Sequence, residues 1–330
     1  MNFQSLLRPN VVALLTEKPD NKQVSTLDTL QANLAETRDA LCKQLSLIRN
    51  VSPDCIHFTT GTAQSLCQLL TLFCQPRIDN VVTPSPLAPH IAHQCMLADV
   101  ELRTAPLTPN FDFEAAPLLC TSNGRTKIAY LCSPHIPTGN PLNRAQLQQM
   151  FADFGGLVVV NEAHADYSSL PSLVPLVASE PRLVVLRTFS QSWADPSLRL
   201  AVVYASPSLV DLLSRAFVVP SVGVPVLLRA NQILSRPQDA HRRLRQTIDE
   251  RAKVAQSLSQ LPYVEKVYPS HANFLLVRFA NADTVARHLQ AHGIPCQPFA
   301  ASSPCAQCLQ ISIGTPQENT KLLAALRNLL

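Results

Sequence analysis

A chain of 330 residues, 46% hydrophobic and only 15% charged, is long enough for two domains and apolar enough to bury a large core, which excludes a disordered protein. Its formal charge of +4 is spread along the sequence without a block of like charges, so nucleic acid and membrane surfaces are not expected partners. No apolar stretch reaches the ~18 residues of a membrane span, and Met1-Asn2-Phe3-Gln4-Ser5 does not open a signal peptide.

The ten cysteines then read as reduced thiols of a cytoplasmic protein, mostly small core residues. Glycine is scarce: 8 residues, where average usage of ~7% would give about 23, against 27 prolines. Glycine is needed where φ is positive or where a ligand touches the main chain. Its loss suggests unusual turns or less need for close ligand approach.

In chain order, residues 1–25 read as an irregular segment, with Pro9, Pro19 and Asp20-Asn21. A helix is expected from a cap at Ser25-Thr26 to about residue 48, with Leu27, Leu30, Leu34, Leu41 and Leu45 at helical spacing. Strands and helices then alternate: strand 56–58, helix 62–74, strand 80–83, helix 88–98, strands 100–104 and 127–132, helix 144–154, strands 157–160 and 183–187. Continuous apolar runs between helices mean strands buried on both faces, as in a mostly parallel sheet. After about residue 245 the rhythm changes. Helix 242–261, strands 264–267 and 273–279, helix 282–292, strands 293–298 and 309–313 and helix 318–330 make a small α+β domain. The expected division is 1–25, a large domain 26–245 and a small domain 246–330.

Four segments carry a resemblance: Cys132–Asn140 (CSPHIPTGN), Val158–His164 (VVVNEAH), Val185–Gln191 (VLRTFSQ) with Leu198-Arg199-Leu200, and Leu309–Thr315 (LQISIGT). They are similar to SPNNPTG, VVVDEAY, LRTFSK…LRLG and LRITIGT of the fold-type I pyridoxal-phosphate aminotransferases. Thr59–Gln64 resembles the family's phosphate-cradling turn at a helix start. The match covers about residues 37–330. The branch it most resembles is histidinol-phosphate aminotransferase, with threonine-phosphate decarboxylase a neighbour. The resemblance implies an α/β fold: a large doubly wound, mostly parallel domain, a small C-terminal α+β domain and a homodimer.

Carried over residue by residue, the family's chemistry meets substitutions. The Schiff-base lysine, placed after T-F-S and eight residues before the phosphate-binding arginine, corresponds to Gln191. An amide forms no imine. The aspartate that pairs with the pyridine nitrogen corresponds to Asn161, and the two ring-oxygen partners to His164 and Ile136. The stacking aromatic falls in Pro84-Ser85-Pro86, and the substrate-carboxylate arginine corresponds to Gln310. The N-terminal Y-P-D motif is absent.

The phosphate end keeps Thr188, Ser190 and Arg199, with Thr62, Ala63 and Gln64 at the start of a helix. The alternatives are a structural ion pair for Arg199 and strand-end hydrogen bonds for Thr188 and Ser190.

Two further clusters invite a reading. His292, Cys296, Cys305 and Cys308 resemble a zinc set, although Cys296 falls on an expected strand and ordinary thiols are the preferred reading. Glu162, His164 and Asp166 at period two could form a general acid/base or metal cluster; His164 is preferred as a substitute for the lost tyrosine.

Three functions compete. The first is a non-transaminating relative, with no covalent cofactor and no metal, that binds a phosphorylated small molecule or a protein partner, including a heterodimer with an active homologue. The second is a working aminotransferase, or a phospho-amino-acid decarboxylase, with an unorthodox pyridoxal-phosphate site. The third is a cofactor-independent enzyme using His164 and Glu162. Simultaneous loss of the lysine, the aspartate, the ring-oxygen partners and the arginine favours the first.

Overall fold

The computed structural model describes residues 3–16, 28–193, 197–218 and 220–329. The expected cap at Ser25-Thr26, Leu27, the Pro19-Asp20-Asn21 stretch and the terminal Leu330 lie outside them. The chain start departs from the irregular segment expected. A 3-10 turn, Phe3–Ser5, is followed by α1 (Pro9–Thr16). Proline suits the first helical turn, where its missing N–H would find no acceptor anyway. Phe3 and Val11 are buried, and the Phe3 ring meets Phe73 edge-on at 6.3 Å.

The large unit then runs through α2 (Asp28–Arg49), β1 (Ile56–Thr59), α3 (Thr62–Phe73), β2 (Asn80–Ser85), α4 (Pro89–Leu97), β3 (Glu101–Pro106), α5 (Ala115–Thr121) and β4 (Thr126–Cys132). It continues with α6 (Arg144–Asp153), β5 (Leu157–Asn161), β6 (Leu183–Thr188), the single turn α7 (Phe189–Ser192), β7 (Ala201–Tyr204), α8 (Pro207–Ala216), α9 (Val224–Ser235) and α10 (Pro237–Leu258). The seven strands form one sheet in the order β1-β7-β6-β5-β4-β2-β3. The ladders from β3 to β6 are parallel, and β7 runs antiparallel to both its neighbours.

Every residue of β5 and β6 is buried. Val158 and Val160 pack into one core cluster, with Leu41 and Leu45 of α2, and Leu157 and Val159 into the other, with Leu66 and Leu70 of α3. Each such side chain contributes about 1.5–3 kcal/mol by leaving water. That is why these runs are continuously apolar rather than alternating.

The small unit comprises β8 (Val264–Val267), β9 (Phe274–Phe279), α11 (Ala282–Ala291), the two-residue β10 (Gln297–Pro298), β11 (Cys308–Ser312) and α12 (Pro316–Arg327). Its sheet, β10-β11-β9-β8, is wholly antiparallel. Val254 and Leu258, Val285 and Leu289, and Leu322 and Leu326 cover one sheet face. α12 starts on a capping box, in which Thr315 and Glu318 satisfy each other's backbone N–H groups. α10 begins at Pro237, not at the expected 242, and runs unbroken past residue 245.

Candidate functional site

The parallel strands end at one rim of the sheet, where open α/β folds hold ligands. Asn161 closes β5 there, opposite Cys132 of β4. It is buried, and its Oδ1 accepts from the Ala163 N–H at 3.0 Å. Thr188 closes β6, and its buried Oγ1 has no hydrogen-bond partner. Lower on β4, the Tyr130 hydroxyl is also buried without a partner, and burial pushes its pKa well above the usual phenol value. Leaving buried polar atoms unpaired costs about 1–3 kcal/mol each, so unpaired atoms at a strand rim mark a ligand's place.

Gln191 sits on α7. Its carbonyl accepts from the Tyr167 hydroxyl at 2.8 Å, and its Oε1 accepts from Asn273 Nδ2 at 3.3 Å. Asn273 also lies beside His164, whose ring meets Phe274 edge-on at 5.5 Å and whose buried Nδ1 has no partner. Burial drops the His164 pKa to about 4 against the opposing pull of Asn273, so the imidazole is neutral near pH 7.

The phosphate end comes together from three segments. α3 starts at Thr62 and Ala63 with no capping side chain at Gly61. Arg199 Nη2 lies 3.4 Å from where a Cβ on Gly61 would stand, so the guanidinium hangs over the helix start. Arg199 is exposed, and among the described residues no carboxylate pairs with it. Ser190 is partly buried on α7, next to Thr188 on β6. The Gln64 side chain is engaged within the turn. Its Oε1 accepts from Thr60 N and Oγ1 at 2.7 and 2.9 Å, and its Nε2 donates to Ser221 Oγ at 3.1 Å. It braces the turn.

The acid/base reading of Glu162 and Asp166 is corrected. Glu162 Oε2 accepts from Arg187 Nη1 at 2.7 Å and from Ser172 Oγ, while Oε1 accepts from the Leu173 N–H at 2.7 Å. Asp166 pairs with Arg187 and, at 3.2 Å, with Arg49. Burial works against the Arg187 charge, but Asp166 and Glu162 more than offset it and raise its pKa. Both carboxylates are committed to a four-residue ion cluster, buried at Arg187 and Glu162 and partly exposed at Arg49 and Asp166, and cannot partner His164 in proton transfer.

Ile136, after β4, packs with the apolar core cluster on the α3 side. Gln310 is partly buried on β11, opposite Leu276 of β9 and Gln297 of β10. Pro84 and Ser85 end β2 beside Ala105 and Pro106, and the Ser85 carbonyl accepts from Leu107 N–H. The four suspected zinc residues are not brought together. Cys305 and Cys308 are buried with Phe111 and Tyr268 on one side of the small sheet, Cys296 packs with the cluster on the other side, and His292 is exposed. Cys296 also precedes β10 instead of lying within it. Asn273, Phe274 and Tyr130 belong to the site without having stood out as site residues. Nothing in the sequence around them marks them; Asn273 is revealed by its bridging amide, Phe274 by its ring contact with His164 and Tyr130 by its buried hydroxyl.

Comparison with known proteins places this geometry. The family model "Aminotransferase class I and II" matches residues 3–326. A histidinol-phosphate aminotransferase of Parabacteroides distasonis is 32% identical over 286 residues, covering 87% of this chain and 83% of that one. Among solved structures, a putative histidinol-phosphate aminotransferase from Erwinia carotovora superposes with a TM-score of 0.81 at 18% identity, covering 98% of this chain and 92% of that one. The histidinol-phosphate aminotransferase from Sinorhizobium meliloti, solved in complex with pyridoxal-5'-phosphate, superposes at 0.78 with 19% identity and 98% and 87% coverage.

Proposed function

For a chain that belongs to the class I and II aminotransferases, we propose a binding function without transamination: it holds a phosphorylated small molecule in the crevice, by the phosphate. The observation that carries this reading is the Arg199 guanidinium poised over the uncapped start of α3. An uncapped helix start offers free N–H groups and the positive end of the helix dipole to an anion. Arg199 adds a planar donor fork, and Thr188 a buried hydroxyl in need of a partner.

Pyridoxal phosphate fits this arrangement at one end only. Its phosphate suits the cradle, but the site supplies no amine: Gln191 is an amide tied to Asn273, and no lysine is hydrogen-bonded to the site among the described residues. Asn161 is neutral and cannot hold a pyridine nitrogen protonated. The role we assign is therefore retention of a phosphate ester, with no covalent step, in a chain that dimerises and works in the cytoplasm.

Calorimetry with inorganic phosphate, pyridoxamine phosphate and histidinol phosphate tests it. A charge-assisted hydrogen bond is worth about 1.5–3 kcal/mol, so Arg199→Ala weakens binding by about one to two powers of ten. Binding by none of the three, or equal binding by Arg199→Ala, rejects the cradle.

A further inference from the structure

Beyond the phosphate cradle, the described residues of the crevice are polar and offer no uncommitted carboxylate. Asn161, Gln191 and Asn273 are amides, and the His164 imidazole is neutral. The carboxylates nearby are already matched. Arg187 and Arg49 balance Glu162 and Asp166 in one cluster. On the small-unit side, Arg251 Nη1 donates to the carbonyls of Tyr167 at 3.2 Å and Ala272 at 2.6 Å. At this end His164 keeps an unpaired buried atom, Nδ1.

We infer that the occupant is a phosphate monoester whose remaining part is uncharged and hydroxylated, a polyol or sugar phosphate, and that the crevice discriminates against amino-phosphates. The inference rests on the phosphate-binding reading above. Among the described residues, an ammonium group entering beside Asn161, Gln191 and Asn273 would meet no uncommitted carboxylate, since Glu162 and Asp166 are held by arginines. A buried charge without a partner is strongly disfavoured. A hydroxyl both donates and accepts, so it suits amides and a neutral imidazole together. Sites built to hydrogen-bond a hydroxyl group discriminate strongly because their own polar atoms are otherwise left unpaired.

Calorimetry on the full chain decides, with inorganic phosphate, sorbitol 6-phosphate, histidinol phosphate and phosphoserine as probes. Sorbitol 6-phosphate is expected to bind at least about tenfold tighter than inorganic phosphate, the threshold set by one well-made hydrogen bond. Histidinol phosphate and phosphoserine are expected to bind no tighter than inorganic phosphate. If either amino compound binds tighter than sorbitol 6-phosphate, the inference is overturned. If all three esters match inorganic phosphate, it is overturned while the cradle stands. If nothing binds, both fall. Asn161→Asp supplies a second reading. An aspartate of the same shape can still accept from Ala163 N–H, and it provides the missing negative charge. The affinity ratio of histidinol phosphate to sorbitol 6-phosphate is expected to rise about tenfold or more, equivalent to ~1.4 kcal/mol. That ratio does not depend on how much of the variant folds, and an unchanged ratio counts against the inference.

Discussion

An amide at position 191 neither condenses with an aldehyde nor takes up a proton near neutral pH, and here it is also engaged with Asn273 and Tyr167. Installing an amine alone is therefore expected to be insufficient. Gln191→Lys should gain a borohydride-reducible pyridoxal-phosphate adduct that the parent lacks at this position, without measurable transamination, because Asn161 stays neutral. Mass spectrometry of the reduced proteins and a coupled transaminase assay check both halves. Transamination by the single variant would sink the reading. Three histidines make a second prediction. Burial lowers the pKa of His57, His135 and His164 to about 4 each. The unfolded rings titrate near 6.5, so between about 6.5 and 4 the unfolded chain binds more protons than the folded one. Their stabilising contribution is complete above 6.5 and is lost as pH falls through that window, by roughly 1 kcal/mol per histidine per pH unit. The Tm is expected to drop between pH 7.5 and pH 5. In His57→Gln, which removes the ring that contacts Gln68 at 3.2 Å, the slope should flatten. A flat profile in the parent would show that these rings are not held neutral.

At the scale of elements, packing separates two adjacent glycines. A Cβ on Gly156 would stand 2.4 Å from the Lys127 carbonyl oxygen and 2.8 Å from its carbon, whereas one on Gly155 meets nothing within 4 Å. Backbone cannot step aside as a side-chain tip can. Gly156→Ala is expected to cost about 1–3 kcal/mol, and Gly155→Ala to be neutral or stabilising by under about 1 kcal/mol. Urea titration of the two variants distinguishes them; equal midpoints would contradict the close approach of β5 to β4. The same contrast explains what was legible beforehand. Strands such as β5 and β6 announce themselves because burial on both faces demands unbroken apolar runs. α1 did not, because Pro9 read as part of an irregular segment although it sits in a first helical turn, and α8 and α9, which likewise carry prolines in their first turns, were not anticipated. Candidate residues that match a motif, such as Thr188 and Arg199, could be named by position. Asn273 could not, since its role arises from a contact with Gln191 across 82 residues of sequence. Glu162 could be found but was misassigned, because alternation along the chain says nothing of the arginine on the neighbouring strand.

For the molecule as a whole, apolar surface calls for a second copy. A cavity of about 380 Å³ opens between α2 and the α8–α9 connection, lined by Leu34, Phe58, Phe217, Val222 and Leu227, with Val218 at its edge 79% exposed and Leu228 nearby 49% exposed. Apolar side chains so placed are usually covered by a partner. Ser221, on the same wall, accepts from Gln64, so cover here would also steady the turn before α3. Sedimentation at micromolar concentration is expected to give twice 36.1 kDa, and Val218→Asp to shift it toward the monomer; a parent that stays monomeric removes the proposal. Beside the crevice the small unit is held by a short segment. His271 N–H donates to the Gly139 carbonyl and its Nδ1 meets Ser168 Oγ at 3.1 Å, Arg251 ties Ala272 to Tyr167, and Asn273 reaches Gln191. This arrangement orders events during synthesis. The floor, through Gln191, emerges from the ribosome well before its wall: at about 5–20 residues per second, the 82 residues to Asn273 take roughly 4–16 s. A nascent chain thus carries a floor and a cradle long before it carries a pocket, and no ligand can be enclosed until the C-terminal unit has arrived to enclose it.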